Sequence, residues 1–388
     1  MVAYNDNINN LKPSKSMTFM MKAKQLKAVD PEIIDLSGGE PDFDTPEKIR
    51  EELYKWVKAG YTHYTIGPGL PELREKIARK LHDENGCNYS SDGIIVTPGG
   101  KYAIYLAVRT LVSSGDEVMY LEPGWVSYPS IIEASGGIPV PVRLDYQKDY
   151  RLELETLESK VTDKTKMLII NYPNNPTGKL LSESDASVLK KFMLNHPDLV
   201  LLADDMYERI VYCGFKHISM AADPELADRV ITINGFSKSV AMTGWRIGYL
   251  ACSVEIKNAI YKLFQHTISG VSGFIQKSAV VALDCQEEIE QMRQSYEKRR
   301  DFFINGLNEI DGIECAMPEG AFYAWVKFDI PGMDAEQACD YILKTAKVVG
   351  VPGNSYGTDD CCVRFSFATA EEDLKKALVR IEEAMKNK

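Results

Sequence analysis

The stretch Arg229-Val-Ile-Thr-Ile-Asn-Gly-Phe-Ser-Lys-Ser-Val-Ala-Met-Thr-Gly-Trp-Arg-Ile-Gly-Tyr-Leu-Ala251 places one lysine between two apolar runs. The β-branched run at 230–233 predicts a buried strand, and the run at 247–251 predicts a second one. Lys238 lies in the turn between them. A lysine amine that is sheltered from water can lose its proton near neutral pH and attack a carbonyl, forming a Schiff base. The stretch therefore predicts a reactive lysine.

Two neighbours of this lysine indicate the kind of ligand that would bind beside it. Ser237 precedes it and Arg246 follows in the same turn. A hydroxyl and a guanidinium close together suit a phosphate, which arginine grips through two hydrogen bonds. A plain strand–turn–strand with an exposed lysine and a structural arginine is the simpler interpretation. Against it, the spacing resembles the lysine signature of pyridoxal-phosphate (PLP) aminotransferases of fold type I, class I/II, in these residues: Gly235, Ser237, Lys238, Gly244, Arg246 and Gly248.

Composition limits the possible partners. The 388 residues allow two or three domains, and 45% apolar residues are enough for a large core. The net charge of −11 argues against nucleic-acid or anionic-membrane partners, which need a basic face. A small anionic substrate remains possible, since local arginines can bind one inside an acidic protein.

The cysteines and histidines predict neither a disulfide framework nor a metal site, and the N-terminal residues predict no signal peptide. The eight cysteines form no C-x-x-C pair and are predicted to be reduced and mostly buried. The five histidines have no ligand spacing, so we expect no metal site. Residues 1–10 are polar and no run reaches transmembrane length. We therefore expect a cytoplasmic protein.

The order of predicted elements indicates an α/β fold. Seven short apolar strands between Ile94 and Ala251 alternate with helices. This order predicts a mostly parallel seven-stranded sheet between helices, with ligands at the carboxyl ends of the strands. Farther on, helices at 254–283 and 286–309 are followed by short strands at 322–328, 348–351 and 363–367, which is an α+β pattern. We expect a large domain at 46–285 and a smaller α+β domain formed by 1–45 and 286–388.

Two loops at predicted strand ends carry weaker signals. Thr97-Pro-Gly-Gly-Lys101 leads into a helix whose N-terminus and glycines would favour an anion, although such a start is often just a tight turn. Trp125 follows the next strand and offers a flat face to an aromatic ring, although core packing is the commoner use of a tryptophan.

Two further strand ends carry stronger signals. Asn175 lies in the proline-stiffened loop at 171–178 and can donate an amide hydrogen bond. Asp204 follows the buried run at 199–203, where a carboxylate needs a positive partner such as a protonated pyridine nitrogen. A helix N-cap is the competing interpretation of Asp204.

These segments resemble fold type I aminotransferases in the same order from about Lys12 to the C-terminus, and Asp-Phe-Asp-Thr-Pro after Gly-Glu-Pro looks most similar to the aspartate aminotransferase subgroup. The resemblance implies PLP as cofactor, with Lys238 as its covalent attachment point and proton shuttle. Asp204 would pair with the ring nitrogen, Tyr207 and Asn175 would contact the 3-oxygen, and Trp125 would stack on the ring. The phosphate would be held by Gly100, Lys101, Ser237 and Arg246. Tyr64 would reach the phosphate of a neighbouring subunit, which implies a homodimer with shared sites.

The resemblance also implies substrate contacts. Gly39, Asn175 and Trp125 would touch the substrate, and Arg364 would clamp its α-carboxylate. Lys101, with Ser16, would meet the distal carboxylate of a dicarboxylic substrate; Met17, Phe19 and Met20 would instead line an apolar pocket.

The leading hypothesis is a ping-pong transfer of an amino group, from aspartate to 2-oxoglutarate. An aromatic or broad-specificity aminotransferase and a PLP-dependent cysteine-S-conjugate β-lyase are the competing hypotheses. A regulatory ligand-binding domain is a third class, but no basic helix-turn-helix segment precedes the fold.

Overall fold

The structure is a computed structural model that describes residues 6–9, 11–13 and 15–388, without the side chains of residues 6, 7, 15–17 and 20. The helices are α1 (Asp6–Asn9), α2 (Lys15–Val29), α3 (Glu47–Lys58), α4 (Pro71–Asn85), α5 (Gly100–Leu111), α6 (Ser127–Ala134), α7 (Leu154–Glu158), α8 (Glu183–Asn195), α9 (Val254–Thr267), α10 (Gly273–Ala282), α11 (Gln286–Asn308), α12 (Ala335–Ala346) and α13 (Glu371–Lys386).

The strands are β1 (Ile34–Asp35), β2 (Ile94–Thr97), β3 (Glu117–Glu122), β4 (Ile138–Arg143), β5 (Thr165–Asn171), β6 (Val200–Asp204), β7 (Val230–Gly235), β8 (Gly248–Ala251), β9 (Ile313–Cys315), β10 (Tyr323–Phe328), β11 (Val348–Val349), β12 (Val351–Pro352) and β13 (Cys362–Ser366). Within this part of the chain, no helix is both long and apolar enough to cross a membrane.

A seven-stranded sheet forms the centre of the fold, in the order β2-β8-β7-β6-β5-β3-β4. Its neighbouring strands are parallel except at β8, which runs antiparallel to β7 and β2. The predicted mostly parallel seven-stranded α/β sheet is confirmed. Because β5, β6 and β7 are parallel neighbours, their carboxyl ends bring Asn171, Asp204 and the turn of Lys238 to one edge.

Two glycines allow close packing at that edge. A Cβ on Gly235 would lie 2.9 Å from the Gly248 Cα, and a Cβ on Gly248 would lie 2.9 Å from the Gly100 backbone nitrogen. Side chains at these positions would separate β7 from β8 and push away the start of α5. The glycines of the lysine signature therefore bring the Lys238 turn next to the N-terminus of α5.

The remaining strands form two smaller sheets. One is antiparallel and four-stranded, in the order β12-β13-β10-β9, and the other pairs β1 in parallel with β11. Side chains from α11, α12 and α13 pack with the strands in a second hydrophobic core, which includes Phe303, Ile342 and Ile381. The β1–β11 pairing joins the N-terminal segment to the C-terminal part of the chain.

Several predicted boundaries are wrong. The helix predicted at 254–283 is two helices, α9 and α10, because Ser269 adopts a left-handed φ of 65° and Gly270 follows it. The strand predicted at 348–351 is divided into β11 and β12, which belong to different sheets. Strand β9 was not predicted at all.

Candidate active site

A cavity of about 460 Å³ lies at the carboxyl ends of the central strands and is also lined from the C-terminal sheet. Eleven of the predicted site residues line it: Gly39, Gly100, Lys101, Trp125, Asn175, Asp204, Tyr207, Ser237, Lys238, Arg246 and Arg364. These residues come from loops far apart in sequence, so the sheet edge and the C-terminal sheet together assemble the site.

Lys238 projects into this cavity from the turn between β7 and β8. Its Nζ donates a hydrogen bond of 2.5 Å to the carbonyl oxygen of Gly39. Burial, the largest influence, lowers the pKa of Lys238 to about 8. A lysine in this state exchanges its proton readily near neutral pH, as the prediction of a reactive amine requires.

Asp204 is the last residue of β6 and is 7% exposed. Its Oδ2 accepts a hydrogen bond of 2.8 Å from the Tyr128 hydroxyl, and its Oδ1 accepts one of 3.3 Å from the Met206 backbone nitrogen. Burial raises the pKa of Asp204 to about 6, and the neighbouring charge of Asp205 adds to the rise. The residues after Asp204 form a turn, so the helix N-cap interpretation is wrong. A buried carboxylate in this state suits a cationic partner.

Arg364 lies on β13 and is buried. Its Nη1 donates to Oδ1 of Asn175 at 3.0 Å, and its Nη2 donates to the carbonyl oxygen of Ser37 at 2.7 Å. Its Nε is buried without a hydrogen-bond partner in the described part of the chain. An anchored guanidinium with an unused donor, in a cavity wall, suits a carboxylate. The bond to Asn175 Oδ1 leaves the amide nitrogen of Asn175 as a donor.

The start of α5 and Arg246 form a second cationic corner. Gly99 caps α5 with a φ of 84°, and a Cβ there would lie 2.8 Å from Nη2 of Arg246. Arg246 has a φ of 53°, and its Nη1 donates to the Thr243 carbonyl oxygen at 2.8 Å. With Ser237 lining the same cavity, backbone amides, a hydroxyl and a guanidinium are available to a phosphate.

Aromatic residues form another part of the lining. The Lys101 ammonium lies 4.9 Å from the centroid of the half-buried Trp125 ring. Burial, and then the charge of Arg246, lower the pKa of Lys101, although much of its side chain is exposed. The Tyr207 and Tyr323 hydroxyls share a hydrogen bond of 2.7 Å. Trp125 and Tyr207 are thus available to an aromatic ligand.

Tyr64 does not enter this cavity. Its side chain is 101% exposed and borders a separate groove of about 350 Å³, between residues 62–65 and 270–274. Phe19 is half-buried and packs against a small hydrophobic cluster that includes Trp325 and Tyr356. The side chains of Ser16, Met17 and Met20, for which roles at the substrate were predicted, lie outside the described residues.

Sequence reasoning missed several lining residues. Ser37 and Glu40 stand in the glycine- and proline-rich loop at 37–46, so their proximity to Gly39 was an available signal. Tyr128, three residues after Trp125, belongs to the site through its hydrogen bond to Asp204. Tyr323 and Tyr356 reach the cavity from the C-terminal part, where no local pattern marked them.

Comparison with known proteins gives a consistent result. Residues 31–381 match the family "Aminotransferase class I and II". The aspartate aminotransferase of Musicola paradisiaca is 39% identical, over 98% of this chain and 96% of its own. The probable aspartate/prephenate aminotransferase of Aquifex aeolicus is 38% identical, over 97% of each chain. The structure of Thermus thermophilus aspartate aminotransferase with maleate superimposes with a TM-score of 0.94 at 34% identity, covering 99% of this chain and 100% of that one.

Proposed function

This chain belongs to the class I and II aminotransferases, which are PLP-dependent enzymes, and we propose that it transfers the amino group of L-aspartate to 2-oxoglutarate. The observation that carries the proposal is the position of two cations, Arg364 and Lys101, in the same cavity as Lys238 and Asp204. A dicarboxylic donor needs both cations, because one guanidinium grips only one carboxylate bidentately. Similarity to aspartate aminotransferases supports the same donor.

The cavity fits PLP. Asp204 would hold the ring nitrogen in its cationic form, which suits a buried carboxylate whose pKa is raised to about 6. Trp125 would cover a ring face, Tyr207 and Asn175 would contact the 3-oxygen, and the corner around Arg246 would hold the phosphate. That corner consists of Gly100, Lys101, Ser237 and Arg246. When bound, the cofactor supplies an electron sink that stabilises negative charge at the substrate α-carbon.

The chain's own residues orient the substrate and move the proton. Arg364, held by Ser37 and Asn175, would fix the α-carboxylate. Lys238, with its pKa lowered to about 8, would accept the α-proton as a neutral amine and return it as an ammonium. The two half-reactions follow in ping-pong order: the donor leaves as an oxo acid before the acceptor binds.

Charge in the cavity favours anions despite the acidic composition of the whole chain. Among the described residues that line it, the cations are Lys101, Lys238, Arg246 and Arg364, and the carboxylates are Glu40 and Asp204. The excess of positive charge suits a phosphate together with a carboxylate substrate. The Thermus relative was solved with maleate, itself a dicarboxylate.

Prephenate is a second candidate amino acceptor. The Aquifex relative carries both aspartate and prephenate in its name, and prephenate also has two carboxylates for Arg364 and Lys101. An aromatic amino donor or a simple S-alkyl cysteine has no second carboxylate for Lys101 to bind, so this second cation gives no support to an aromatic aminotransferase or a cysteine-S-conjugate β-lyase. We rank 2-oxoglutarate first and prephenate second as amino acceptor of an aspartate aminotransferase. The aromatic or broad-specificity aminotransferase and the β-lyase rank below either form of that proposal.

We also propose a cytoplasmic homodimer in which Tyr64 contacts the partner's phosphate site. Full exposure of this tyrosine beside a polar groove supports contact with a second copy. Mixed dimers of Lys238→Ala and Tyr64→Ala would contain one intact site. The mixture should exceed the summed activity of the separate variants; activity equal to that sum would argue against shared sites.

The test of the function is a donor panel with PLP-loaded enzyme. Aspartate, phenylalanine, alanine and a cysteine S-conjugate are offered with 2-oxoglutarate, and products are identified by mass spectrometry. We expect glutamate and oxaloacetate, with the highest kcat/KM for aspartate. Equal kcat/KM for phenylalanine would favour a broad-specificity enzyme, and release of ammonia and pyruvate from a cysteine conjugate without glutamate would favour the lyase.

A further inference from the structure

The loop from Ser37 to Thr45 contacts both Lys238 and Arg364, which lie in the wall of the cavity. Its Gly39 carbonyl oxygen accepts a hydrogen bond from Lys238 Nζ, and its Ser37 carbonyl oxygen accepts one from Arg364. The next residue, Glu40, lines the cavity and accepts a hydrogen bond of 3.0 Å at Oε2 from the Thr243 hydroxyl. Glu40 is therefore a carboxylate held at the wall beside Lys238, with no part in the mechanism so far.

The loop is fixed against the turn that carries Lys238. The Thr45 hydroxyl donates to the Ala241 carbonyl oxygen at 2.7 Å and accepts from Trp245 Nε1 at 2.9 Å. Together with the bond from Thr243, these contacts hold Glu40 in register with the Lys238 turn. The Glu40 side chain is exposed, but its hydrogen bond to Thr243 orients its carboxylate toward the turn that carries Lys238.

Charged groups face Lys238 from several elements. Glu40 raises the pKa of the lysine more than any other charge, and Asp204 at the end of β6 raises it too. Arg364 on β13 and Arg246 in the turn lower it, in the same direction as burial. Asp204 is engaged with Tyr128 and is proposed to pair with the cofactor. Among the described residues that line the cavity, Glu40 is then the carboxylate that remains for the lysine.

We propose that Glu40 is a positioning residue that acts through Lys238: its carboxylate, held by Thr243, favours the ammonium form of the lysine during proton transfer. The inference rests on the proposed function of Lys238 as proton carrier. A buried lysine beside two arginines tends to give up its proton, and a nearby fixed negative charge offsets this tendency, so that the amine can hold the proton it takes from the α-carbon.

The test measures the ionisation of Lys238 in the full-length apoenzyme. Competitive trace labelling of lysines with acetic anhydride between pH 6 and 11, followed by mass spectrometry of the Lys238 peptide, yields its pKa. In Glu40→Gln, which keeps the shape and the acceptor for Thr243, we expect this pKa to fall by about half a unit to one unit, at the low end of the effect of a nearby opposite charge because Glu40 is partly solvated.

Two variants separate local charge from other effects. Asp42→Asn removes the same charge from the same loop, but Asp42 pairs with Arg299, outside the cavity. We expect it to leave the Lys238 pKa within about 0.2 unit of wild type, since solvent and salt screen charges at longer range. Thr243→Val keeps the carboxylate and removes its hydrogen bond, so the fall should be smaller than in Glu40→Gln.

An unchanged Lys238 pKa in Glu40→Gln would overturn the proposal. Equal falls in Glu40→Gln and Asp42→Asn would also overturn it, since they would reflect net charge alone, and so would a fall in Thr243→Val as large as that in Glu40→Gln. The measurement uses neither cofactor nor substrate. Its failure is therefore distinct from a failure of the aspartate assignment, which the donor panel tests.

Discussion

The Tyr128 hydroxyl, from α6, donates a hydrogen bond of 2.8 Å to Oδ2 of Asp204, at the end of β6. This bond stabilises the ionised carboxylate, while burial disfavours it and raises its pKa to about 6. Tyr128 thus helps to keep a buried carboxylate charged at neutral pH, where a cationic ring nitrogen can pair with it.

Replacing Asp204 by asparagine should keep the fold and remove most activity. The neutral amide cannot hold the ring nitrogen in its cationic form, so charge at the α-carbon is less well stabilised. We expect kcat to fall by about 10² to 10³-fold, as for the loss of other electrostatic stabilisers of developing charge. Steady-state kinetics with a circular-dichroism control checks this. Near-normal turnover in a folded Asp204→Asn protein would remove Asp204 from the chemistry.

The same substitution should change how stability depends on pH in the apoenzyme. The folded-state pKa of Asp204, about 6, lies above its ordinary value of 3.8, so the group favours folding when protonated and this contribution is lost as pH rises from about 4 through 6. The difference in unfolding free energy between Asp204→Asn and wild type should therefore grow by about 2 kcal/mol from pH 4 to pH 7. Urea unfolding at both pH values measures it; a constant difference would contradict the raised pKa.

Substituting Arg364 by lysine should lower kcat/KM for every amino donor alike. Lysine keeps the charge but loses the planar fork, which Ser37 and Asn175 hold in place. We expect kcat/KM for aspartate, alanine and phenylalanine to fall by about 30 to 5,000-fold each, mostly through KM, since a broken buried charge pair costs about 2 to 5 kcal/mol. A loss confined to aspartate would mean that Arg364 contacts the distal carboxylate instead.

Substituting Lys101 by alanine should lower kcat/KM more for aspartate than for donors without a second carboxylate. Its ammonium lies over Trp125 in the cavity, where it would pair with the second carboxylate. Because Lys101 also belongs to the proposed phosphate corner, kcat/KM should fall for all three donors. The loss for aspartate should exceed that for phenylalanine and alanine by about 2 to 5 kcal/mol, the cost of breaking a charge pair in the cavity. Comparing kcat/KM for the three donors decides the matter: an equal drop for each would mean that Lys101 supports the phosphate corner or the fold.

Local sequence patterns could predict the main sheet and much of the site. Short apolar runs marked the strands of the sheet. The motifs around Lys238, Asn175 and Asp204 follow strands whose ends the parallel sheet brings to one edge. The predicted domain boundaries, 46–285 against 1–45 and 286–388, and the individual residue roles stay predictions.

Contacts between distant segments could not be predicted this way. Tyr128 and Asp204 are 76 residues apart, and Arg364 and Ser37 are 327 apart, so no local periodicity records either pairing. The break between α9 and α10 was missed because a left-handed serine, Ser269, has no distinctive local signature. The short strands β11 and β12 were merged because one apolar run contains both, and only their pairing partners separate them.

The central claim is that Lys238 carries the cofactor in the cavity closed by Asp204 and Arg364. Borohydride reduction of the PLP-loaded enzyme fixes the cofactor to its lysine, and peptide mass spectrometry locates the adduct. We predict a single adduct on Lys238, and none in Lys238→Ala, which should still bind the cofactor without a covalent link. An adduct on another lysine in the wild-type enzyme, or no adduct at all, would contradict the account.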